Sequence, residues 1–488
     1  MKRLAPFPLA IALVTGGLLC ATANAQVVTP KYVINALGNL SGQAGGSVQA
    51  NAINEAGQVV GSSANADGKT RAFRTAPNRA IKPSDDIGTL GGDTSVAYGI
   101  NNNGQVVGDA DTAVIGPFNS VVRRAFRLDP GAAMIDLGTL APNGGVNGFN
   151  TSGARGINDA GQVVGLATVP ADGCGSVSHA FRTSPNATIA PVGGNDLGTL
   201  VPPPYVNCRS SIAFGINSGG AAVGNSATVV STGSPYHAFR TAPLVYRIDL
   251  NMFGWGESTA YAINGIGETV GQAQMSIGTS PFDPSPHAFL SVGDITHKSI
   301  DLGTLGGTYS VAYGINTRYP ADSQVVGSSS TSTDPTLNVL HGFIWTGNIV
   351  YGGTMVDLNS RIDAASGWEI VDARAINNRG QIVVHGRRTG EPFVYYALRL
   401  DPSDVAVDVV IASLSDPAYG LTGGQINALT DKLRNAITSI QLGLFKQAVN
   451  QLNAALSSIQ VAVSGGRMSV ATGNALTATI NAIIATVS

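Results

Sequence analysis

One three-part repeat occurs seven times along this chain and constrains its fold more than any other feature. Each copy has a segment like Asp-Leu-Gly-Thr-Leu, then one like Ala-Tyr-Gly-Ile-Asn-Asn-Asn-Gly-Gln-Val-Val-Gly, then one like His-Ala-Phe-Arg. Strand-forming repeats of this length are typical of β-propellers and β-solenoids. A residue that recurs in most copies is expected to serve the folding of every copy, so the repeated residues are poor candidates for catalysis.

Each copy of the repeat predicts four short strands. In the second copy, residues 96–100 are apolar and β-prone, Asn101 to Gly104 forms a tight turn, and residues 105–108 return as the partner strand. A third strand is predicted at 124–127 and a fourth at 134–140. Gly104 can adopt the positive φ that the end of such a turn requires. The first asparagine of the turn recurs every 47 to 61 residues, as Asn54, Asn101, Asn158, Asn217, Asn264, Asn316 and Asn377.

Four strands in each of seven copies predict a seven-bladed β-propeller over residues 26–402. The last copy ends near Leu400 without a following Asp-Leu-Gly-Thr-Leu segment, whereas residues 36–40 supply a similar segment at the start of the chain. The N-terminal strand is therefore predicted to complete the seventh blade, which closes the ring and removes a free edge. A β-solenoid is the alternative architecture.

The last part of the chain changes from strand to helix periodicity. Apolar residues recur at three- and four-residue steps over 426–440, 448–459 and 476–484. Three amphipathic helices are predicted to form a small α-helical bundle over residues 421–488, after a linker at 403–420. Thr422 and Gln425 are predicted to form a capping box at the start of the first helix.

The first 25 residues have the pattern of a signal peptide. Lys2 and Arg3 precede an apolar run over residues 9–19, and residues 23–25 have the small-x-small form of a cleavage site. A lipoprotein signal at Cys20 is the alternative, which the large residue Leu19 disfavours. A signal peptide at 1–25 predicts a secreted or periplasmic protein, and no later stretch is predicted as a transmembrane segment.

Signal cleavage would leave two cysteines, Cys174 and Cys208. In an oxidising compartment a single pair is more often a disulfide than a reactive thiol, so we predict this bond. It would close a loop of about 35 residues and contribute roughly 3–4 kcal/mol in the chain-entropy estimate. Two unrelated thiols are the alternative.

Charge is sparse and balanced. Charged residues make up 12 % of the chain and the formal net charge is −2. Since no run of lysine or arginine is present, the composition argues against a nucleic-acid partner. The surface is expected to be neutral and rich in Ser, Thr, Asn and Gly.

The repeat resembles the HAF-repeat family of bacterial extracellular proteins. The resemblance is carried by the His-Ala-Phe triplets that begin at His179, His237 and His287, and it covers about residues 33–402. Other copies depart from this triplet, with Arg71 or Arg124 in the histidine position. The resemblance implies an exported repeat protein and brings no established reaction.

The tail resembles the FIMAH-type helical domain found at the C-termini of bacterial exported proteins. The matching segments are Leu-Thr-Gly-Gly-Gln-Ile-Asn-Ala-Leu-Thr-Asp-Lys-Leu, Ala-Val-Asn-Gln-Leu-Asn-Ala-Ala-Leu and the closing Asn-Ala-Ile-Ile. The resemblance supports a domain boundary near residue 421 and implies no particular activity. A plain structural cap on the propeller and a binding module are both open.

The repeated histidines and aspartates are predicted to be structural. The histidines at 179, 237, 287 and 341 and the aspartates at 86, 136, 196, 249, 301 and 357 belong to different blades. Copies of one position are spread around a ring, whereas metal ligands and catalytic carboxylates must converge on one point. Each histidine is expected to bond the backbone of a neighbouring blade, and each aspartate to bond at a turn or strand end. No catalytic residue, metal site or cofactor is predicted, although Asp109 and Asp111 are weak candidates for calcium.

The variable loops hold the predicted binding residues. If strands run from axis to rim, loops between second and third strands share a face with loops between blades, and we name this the long-loop face. Flat aromatic rings on a neutral surface suit sugar faces or apolar peptide groups, although several could simply pack the loops. The predicted ligand-binding residues are Phe118, Tyr205, Tyr236, Trp255, Phe282, Tyr309 and Trp368.

These features favour an exported, non-enzymatic scaffold for binding or adhesion, whose long-loop face meets an extracellular or envelope glycan or protein. One alternative is a propeller-scaffold enzyme that acts on polysaccharide through unrepeated loop acids such as Asp283. A purely structural component of a matrix or envelope is the other.

Overall fold

The computed structural model describes residues 31–43, 47–116, 119–141, 150–171, 175–190, 194–201, 208–228, 236–241, 247–250, 256–274, 285–292, 298–318, 322–333, 339–391 and 393–487. These residues form seven antiparallel sheets, each of which is one blade, followed by a group of helices.

The strands are numbered in chain order, beginning with β1 at Tyr32–Ala36. Blade 1 contains β2 (Val48–Ile53), β3 (Val59–Ala64) and β4 (Thr70–Arg74). Blade 2 contains β5 (Gly91–Ile100), β6 (Val106–Ile115), β7 (Val121–Leu128) and β8 (Ile135–Asp136). Blade 3 contains β9 (Ser152–Ile157), β10 (Val163–Ala171), β11 (Gly175–Arg182) and β12 (Asp196–Gly198).

Blade 4 contains β13 (Ser211–Ile216), β14 (Ala222–Ala227), β15 (Tyr236–Thr241) and β16 (Arg247–Asp249). Blade 5 contains β17 (Ser258–Ile263), β18 (Glu268–Gln274), β19 (Pro286–Val292) and β20 (Ser299–Asp301). Blade 6 contains β21 (Ser310–Ile315), β22 (Ser323–Ser330), β23 (Leu340–Asn348) and β24 (Gly352–Asp357). Blade 7 contains β25 (Trp368–Ile376), β26 (Ile382–Arg388) and β27 (Tyr396–Pro402).

Strand β1 closes the ring by completing blade 7. It runs antiparallel to β27, from Tyr32 opposite Pro402 to Ala36 opposite Leu398. The first strands of successive blades contact one another in an unbroken circle that includes β25 with β2, so these strands surround the axis. The prediction of a seven-bladed propeller with four-stranded blades, closed by the N-terminal strand, is therefore confirmed. In blade 1 the fourth strand is reduced to a bridge between Phe73 and Asp86.

The third strand of each blade supplies the core between blades. Its phenylalanine, from the His-Ala-Phe segment or its variant, is fully buried in blades 1 to 6, and Leu398 is buried at the same place in blade 7. Each such side chain contributes roughly 1.5–3 kcal/mol when removed from water. The six phenylalanines are Phe73, Phe126, Phe181, Phe239, Phe289 and Phe343.

An asparagine ring joins the seven blades near the axis. It consists of the first asparagine of each tight turn, and each of these side chains is less than 10 % exposed. Its Nδ2 donates to the backbone carbonyl of the corresponding asparagine in the next blade, at 2.9–3.3 Å. The bond from Asn377 to Asn54 completes the circle across the junction of blades 7 and 1. The sequence predicted the turn but not this link between blades.

The glycine that follows the Gln-Val-Val segment is required because there is no room for a side chain at this position. A Cβ at Gly165 would lie 2.0 Å from the carbonyl oxygen of Gly153 on β9, which is far inside contact distance. The first strand carries a β-bulge opposite this position. The bulge and the glycine are therefore two parts of one arrangement.

The C-terminal region has four helices: α1 (Ser403–Ser413), α2 (Gly423–Gln441), α3 (Phe445–Ser464) and α4 (Val470–Val487). The predicted capping box of Thr422 and Gln425 is present. Helix α1 falls within the segment predicted as a linker. It begins directly after β27 and contacts β1 and α4, and the Ser403 hydroxyl lies 2.8 Å from that of Thr486.

The helices lie beside blades 7 and 1, on the face that carries the tight turns. Arg379 pairs with Asp408 of α1 at 3.2 Å, and Arg79 pairs with Asp416 at 3.6 Å. Among the described residues, α4 is the one helix long and apolar enough to cross a membrane. Its buried residues contribute to the core that the four helices share.

Candidate functional site

The two faces of the propeller are built from different connections. Successive strands within a blade are neighbours, and the first strand of each blade lies at the axis. The tight Asn-x-x-Gly turns therefore lie on one face, which we name the tight-turn face. The strand ends that lead into the connections between second and third strands, and into those between blades, lie on the opposite, long-loop face, as predicted.

The repeated histidines and aspartates bond to each other within a blade. Each histidine Nδ1 lies 2.6–3.2 Å from the aspartate carboxylate on the adjacent fourth strand. The prediction that each of these histidines bonds the backbone of a neighbouring blade is therefore wrong. The pairs are His179–Asp196, His237–Asp249, His287–Asp301 and His341–Asp357.

The aspartates also have the strand-end role that the sequence predicted. Their carboxylates accept the backbone N–H two residues later, at Gly88, Gly138, Gly198, Gly303 and Asn359. Burial tends to raise the pKa of Asp357, but the bonds from His341 and the Asn359 N–H outweigh it and lower that pKa. These carboxylates are therefore engaged by the scaffold.

At five of the seven blade boundaries, a serine hydroxyl links repeat segments of neighbouring blades. In five blades the hydroxyl of the serine near the start of the first strand accepts the N–H of the His-Ala-Phe alanine in the preceding blade, at 2.8–2.9 Å. Four of these hydroxyls also bond the carbonyl oxygen of the glycine in the Asp-Leu-Gly segment. The serines are Ser95, Ser152, Ser211, Ser258 and Ser310. The repeat is therefore an inter-blade bonding unit.

One position of the repeat differs from blade to blade and lies at the axis. In every blade a β-bulge in the first strand leaves one residue outside the ladder pairing. Each of these side chains is half-buried. Bulges re-aim side chains and are common near functional sites. We name these seven residues the axial ring: Asn51, Tyr98, Arg155, Phe214, Tyr261, Tyr313 and Arg374.

The axial ring has an aromatic side formed by blades 4 to 6. The rings of Phe214 and Tyr261 are 5.2 Å apart between centroids, and those of Tyr261 and Tyr313 are 5.6 Å apart. Arg374 stacks over Tyr313, with its Cζ 4.4 Å from the ring centroid. Burial raises the pKa of Tyr261 and Tyr313, so both phenols stay neutral at physiological pH.

The opposite side of the axial ring carries a network of charges. Arg155 stacks over Tyr98 at 4.1 Å and donates to Asp109 at 2.9 Å. Arg123 donates to Asp109 at 2.6 Å and to Asp111 at 2.8 Å. Burial alone would lower the pKa of Arg123, but the two carboxylates outweigh it and raise that pKa. A calcium ion at these aspartates would have to displace their arginine partners.

A recess opens between blades 4 and 5 at the long-loop face. Its volume is about 170 Å³, and its walls come from β14, β15 and the adjoining strands of blade 5. The lining is mostly polar, with amide and hydroxyl groups beside one tyrosine ring. The lining residues are Asn225, Tyr236, Glu257, Ser258, Thr259, Gln272, Gln274 and Pro286.

The structure brings two of the predicted aromatic residues to this region. Tyr236 lines the recess and is 37 % exposed. The hydroxyl of Tyr309 lies 3.5 Å from Oε1 of Gln272, and the nearby phenol of Tyr313 in the axial ring contributes to the raised pKa of Tyr309. Tyr309 thus connects the recess to the aromatic side of the axis.

Trp368 lies elsewhere and is used in packing. Its ring meets Tyr396 edge-on at 5.2 Å, and Arg388 stacks over it at 4.4 Å. This contact set fits the alternative that some predicted residues only pack the loops. Phe118, Tyr205, Trp255 and Phe282 lie outside the described residues, as does Cys174, so their roles and the Cys174–Cys208 pairing stay predictions.

The fold and this site together define a closed seven-bladed β-propeller with a chemically two-sided axial ring, a lateral recess and a C-terminal helical region. No protein-family model matches the chain, and a search of curated proteins gives no match. Within the part of the chain that the structure describes, no group of three or more His, Cys, Asp or Glu side chains could hold a metal.

Sequence reasoning missed the axial ring because its members stand inside the repeat. Phe214, Tyr261 and Tyr313 stand between residues that recur in most copies, so the repeat pattern predicts a scaffold role for them. The signal that could have found them is the residue after the conserved alanine of the second segment. That position changes between Asn, Tyr, Arg and Phe while the residues around it recur.

Proposed function

We propose that this protein is an exported, non-enzymatic binding scaffold that presents its long-loop face to an extracellular or envelope glycan or protein. The observation that carries the proposal is the recess between blades 4 and 5, where Tyr236 stands beside three side-chain amides. Small-molecule sites combine such an aromatic surface with a few placed polar groups. The recess also adjoins the aromatic side of the axial ring through Tyr309.

The non-enzymatic part of the proposal rests on how the scaffold uses its acids and histidines. The described Asp and His residues of the repeat bond each other or strand ends, and Asp109 and Asp111 bond arginines. A general acid or base needs a group free to exchange a proton with the substrate. Turnover of envelope polysaccharide by the purified protein would overturn this part.

Ligand capture from envelope and extracellular material tests the binding face. The purified mature chain is compared with Tyr236→Ala and with Ile266→Ala. Ile266 is 56 % exposed in the tight turn of blade 5, on the opposite face, and so provides a matched control for the loss of an exposed apolar side chain. We expect Tyr236→Ala to reduce capture and Ile266→Ala to leave it unchanged. Equal capture by all three proteins would remove the recess from the proposal.

Export and the disulfide belong to the same proposal. N-terminal sequencing of the protein recovered outside the cytoplasm should give Gln26 as the first residue. Peptide mass spectrometry without reduction should show Cys174 linked to Cys208. Recovery of the protein in the cytoplasm with an intact N-terminus would contradict export. Recovery outside the cytoplasm with both thiols free would contradict the disulfide.

A further inference from the structure

We propose that the ligand of the long-loop face is a neutral glycan, one pyranose unit of which occupies the recess between blades 4 and 5. The inference rests on the proposed function and names the ligand class for that same site. It commits to a sugar chain over a protein for three reasons, which are the size of the recess, its hydrogen-bonding groups and its charge.

The size of the recess suits one ring of a longer ligand. Its volume of about 170 Å³ is well below the ~300–1,000 Å³ typical of sites that enclose a whole small molecule. A protein partner would insert an aromatic or arginine anchor into a predominantly apolar pocket. Here the walls are mainly polar, which favours a ligand whose ring edge carries hydroxyl groups.

The amides of the recess supply both donors and acceptors. Asn225 Nδ2 donates to Thr259 Oγ1 at 3.0 Å, which leaves Oδ1 of Asn225 directed to other partners. The backbone N–H of Glu257 donates to Gln274 Oε1 at 2.9 Å, and Tyr309 approaches Gln272 Oε1. In the described residues the Nε2 atoms of both glutamines have no protein hydrogen bond. Neighbouring sugar hydroxyls require such a mixture, because each hydroxyl both donates and accepts.

Tyr309 helps to fix the orientation of Gln272. Burial, together with the nearby phenols of Tyr313 and Tyr261, raises the pKa of Tyr309, so its hydroxyl keeps its proton and can donate. A proton donor at Oε1 turns the amide so that Nε2 faces away from Tyr309. Tyr309 is thus a positioning residue, whereas Tyr236 offers its ring directly to the apolar face of a sugar.

The charge of the recess favours a neutral ligand. Among the described residues that line the recess, Glu257 is the charged one, and it is exposed. Both arginines of the axial ring are paired with carboxylates, Arg374 with Asp372 and Arg155 with Asp109, each at 2.9 Å. Because the recess therefore carries an unbalanced negative charge, it should repel uronic-acid and sulfated sugars.

Calorimetric titration of the full mature chain tests the inference. The probes are cellotetraose, mannotetraose and chitotetraose as neutral glycans and tetragalacturonate as the acidic one. We expect binding of at least one neutral probe and weaker or undetectable binding of the acidic probe. Tyr236→Ala and Gln274→Ala should each weaken the neutral complex about tenfold, the effect of roughly one lost stacking or polar contact. Tyr236→Phe, which keeps the ring, should stay within about threefold of wild type.

Two further variants separate a ligand contact from a structural role. Glu257→Gln should strengthen binding of tetragalacturonate, which a purely structural role for Glu257 would not do. Ile266→Ala on the tight-turn face should leave every affinity unchanged, and unchanged thermal unfolding confirms that each variant is folded. Binding that is insensitive to Tyr236→Ala and Gln274→Ala would overturn the inference. Capture of a protein at this face, without affinity for any sugar, would also overturn the inference but would leave the proposed function intact. Failure to find either a sugar or a protein ligand would overturn both the inference and the proposed function.

Discussion

Replacing one member of the asparagine ring should destabilise the propeller more than its single side chain suggests. Asn158 Nδ2 donates to the Asn217 carbonyl at 3.0 Å and to Gln162 Oε1 at 2.9 Å, and its Oδ1 accepts the Gln162 N–H at 3.0 Å. Asn158→Ala removes two bonds of about 0.5–1.5 kcal/mol each and leaves the Gln162 N–H without its acceptor, at about 1–3 kcal/mol. We expect the free energy of unfolding to fall by roughly 2–6 kcal/mol.

Blade 4 provides a matched comparison inside the same ring. Its turn has Ala221 where other blades have Gln or Glu, so Asn217 makes two side-chain bonds rather than three. Its bond to the Asn264 carbonyl is also the longest of the ring, at 3.3 Å. Asn217→Ala should therefore destabilise less than Asn158→Ala, by about the 1 kcal/mol of one side-chain hydrogen bond.

Urea unfolding of the protein, followed by circular dichroism and tryptophan fluorescence, measures both losses. Coincident transitions by the two probes establish that the free energies can be compared. Asn103→Ala, at an exposed position of the same kind of turn, removes one side-chain hydrogen bond, from Nδ2 to the Asp159 carbonyl at 2.8 Å, and leaves no buried group without a partner. It serves as the exposed-bond control and should lower the free energy of unfolding by less than either ring variant. A loss below about 1 kcal/mol for Asn158→Ala would refute the reasoning, because the lone Gln162 N–H should alone produce that much. So would a larger loss for Asn217→Ala.

Three further predictions concern single positions and the ring closure. Gly165→Ala should lower the free energy of unfolding by about 3 kcal/mol or more in urea, because its Cβ would strike a carbonyl oxygen, whereas Gly423→Ala in open space at the start of α2 should be neutral or slightly stabilising. The hydrogen bond to Asp357 raises the pKa of His341. The stabilisation from this pair is therefore complete below about pH 6.5 and is lost as the pH rises through the pKa of the folded state. The melting temperature should fall over that range, and His341→Gln should make the fall smaller. Deleting residues 26–37 should expose the edge of blade 7 and shift the protein to larger species in size-exclusion chromatography, and an unchanged elution profile would contradict the role of β1.

The blade architecture was predictable because each of its elements has a local signal. The glycine that ends the tight turn has φ 76° at Gly104 and 78° at Gly161, a conformation that favours glycine. The apolar, β-prone segments located the strands, although not their ends, and the mismatch between the two chain ends indicated that β1 completes blade 7. These signals depend on neighbours in sequence, which is why they could be read without a structure.

Helix α1 could not be read in the same way. Its sequence, Ser-Asp-Val-Ala-Val-Asp-Val-Val-Ile-Ala-Ser, is rich in valine, which favours strands over helices. The helix forms because Val405, Val407 and Val410 are buried where α1 contacts β1, β27 and the other helices. Tertiary packing overrides local propensity here, so a linker was the expected reading of residues that the structure shows as helix.

The bonds between blades were hidden for a different reason. A serine such as Ser152 gives no sequence signal of its own, yet its hydroxyl accepts from Ala125 of one blade and donates to the carbonyl of Gly138. Both partners are distant in sequence, and only the register of the sheets determines which residues they are. The same holds for the asparagine ring, whose turn was predictable but whose bond to the next blade depends on closure of the circle.

Seven equivalent positions allow function to be separated from scaffold within one molecule. Where blades share a residue, as at the turn asparagine, the structure shows a bond that every blade needs. Where the blades carry different residues at the same backbone site, folding of the blade does not require one particular residue there. The bulge position satisfies this condition, since it holds Arg155 in one blade and Phe214 in the next. Two of its four aromatic members, Phe214 and Tyr261, fall in the blades that border the recess, and Tyr313 stands beside them in blade 6. The recess and the aromatic side of the axial ring, neither of which the scaffold requires, therefore occur on one side of the molecule.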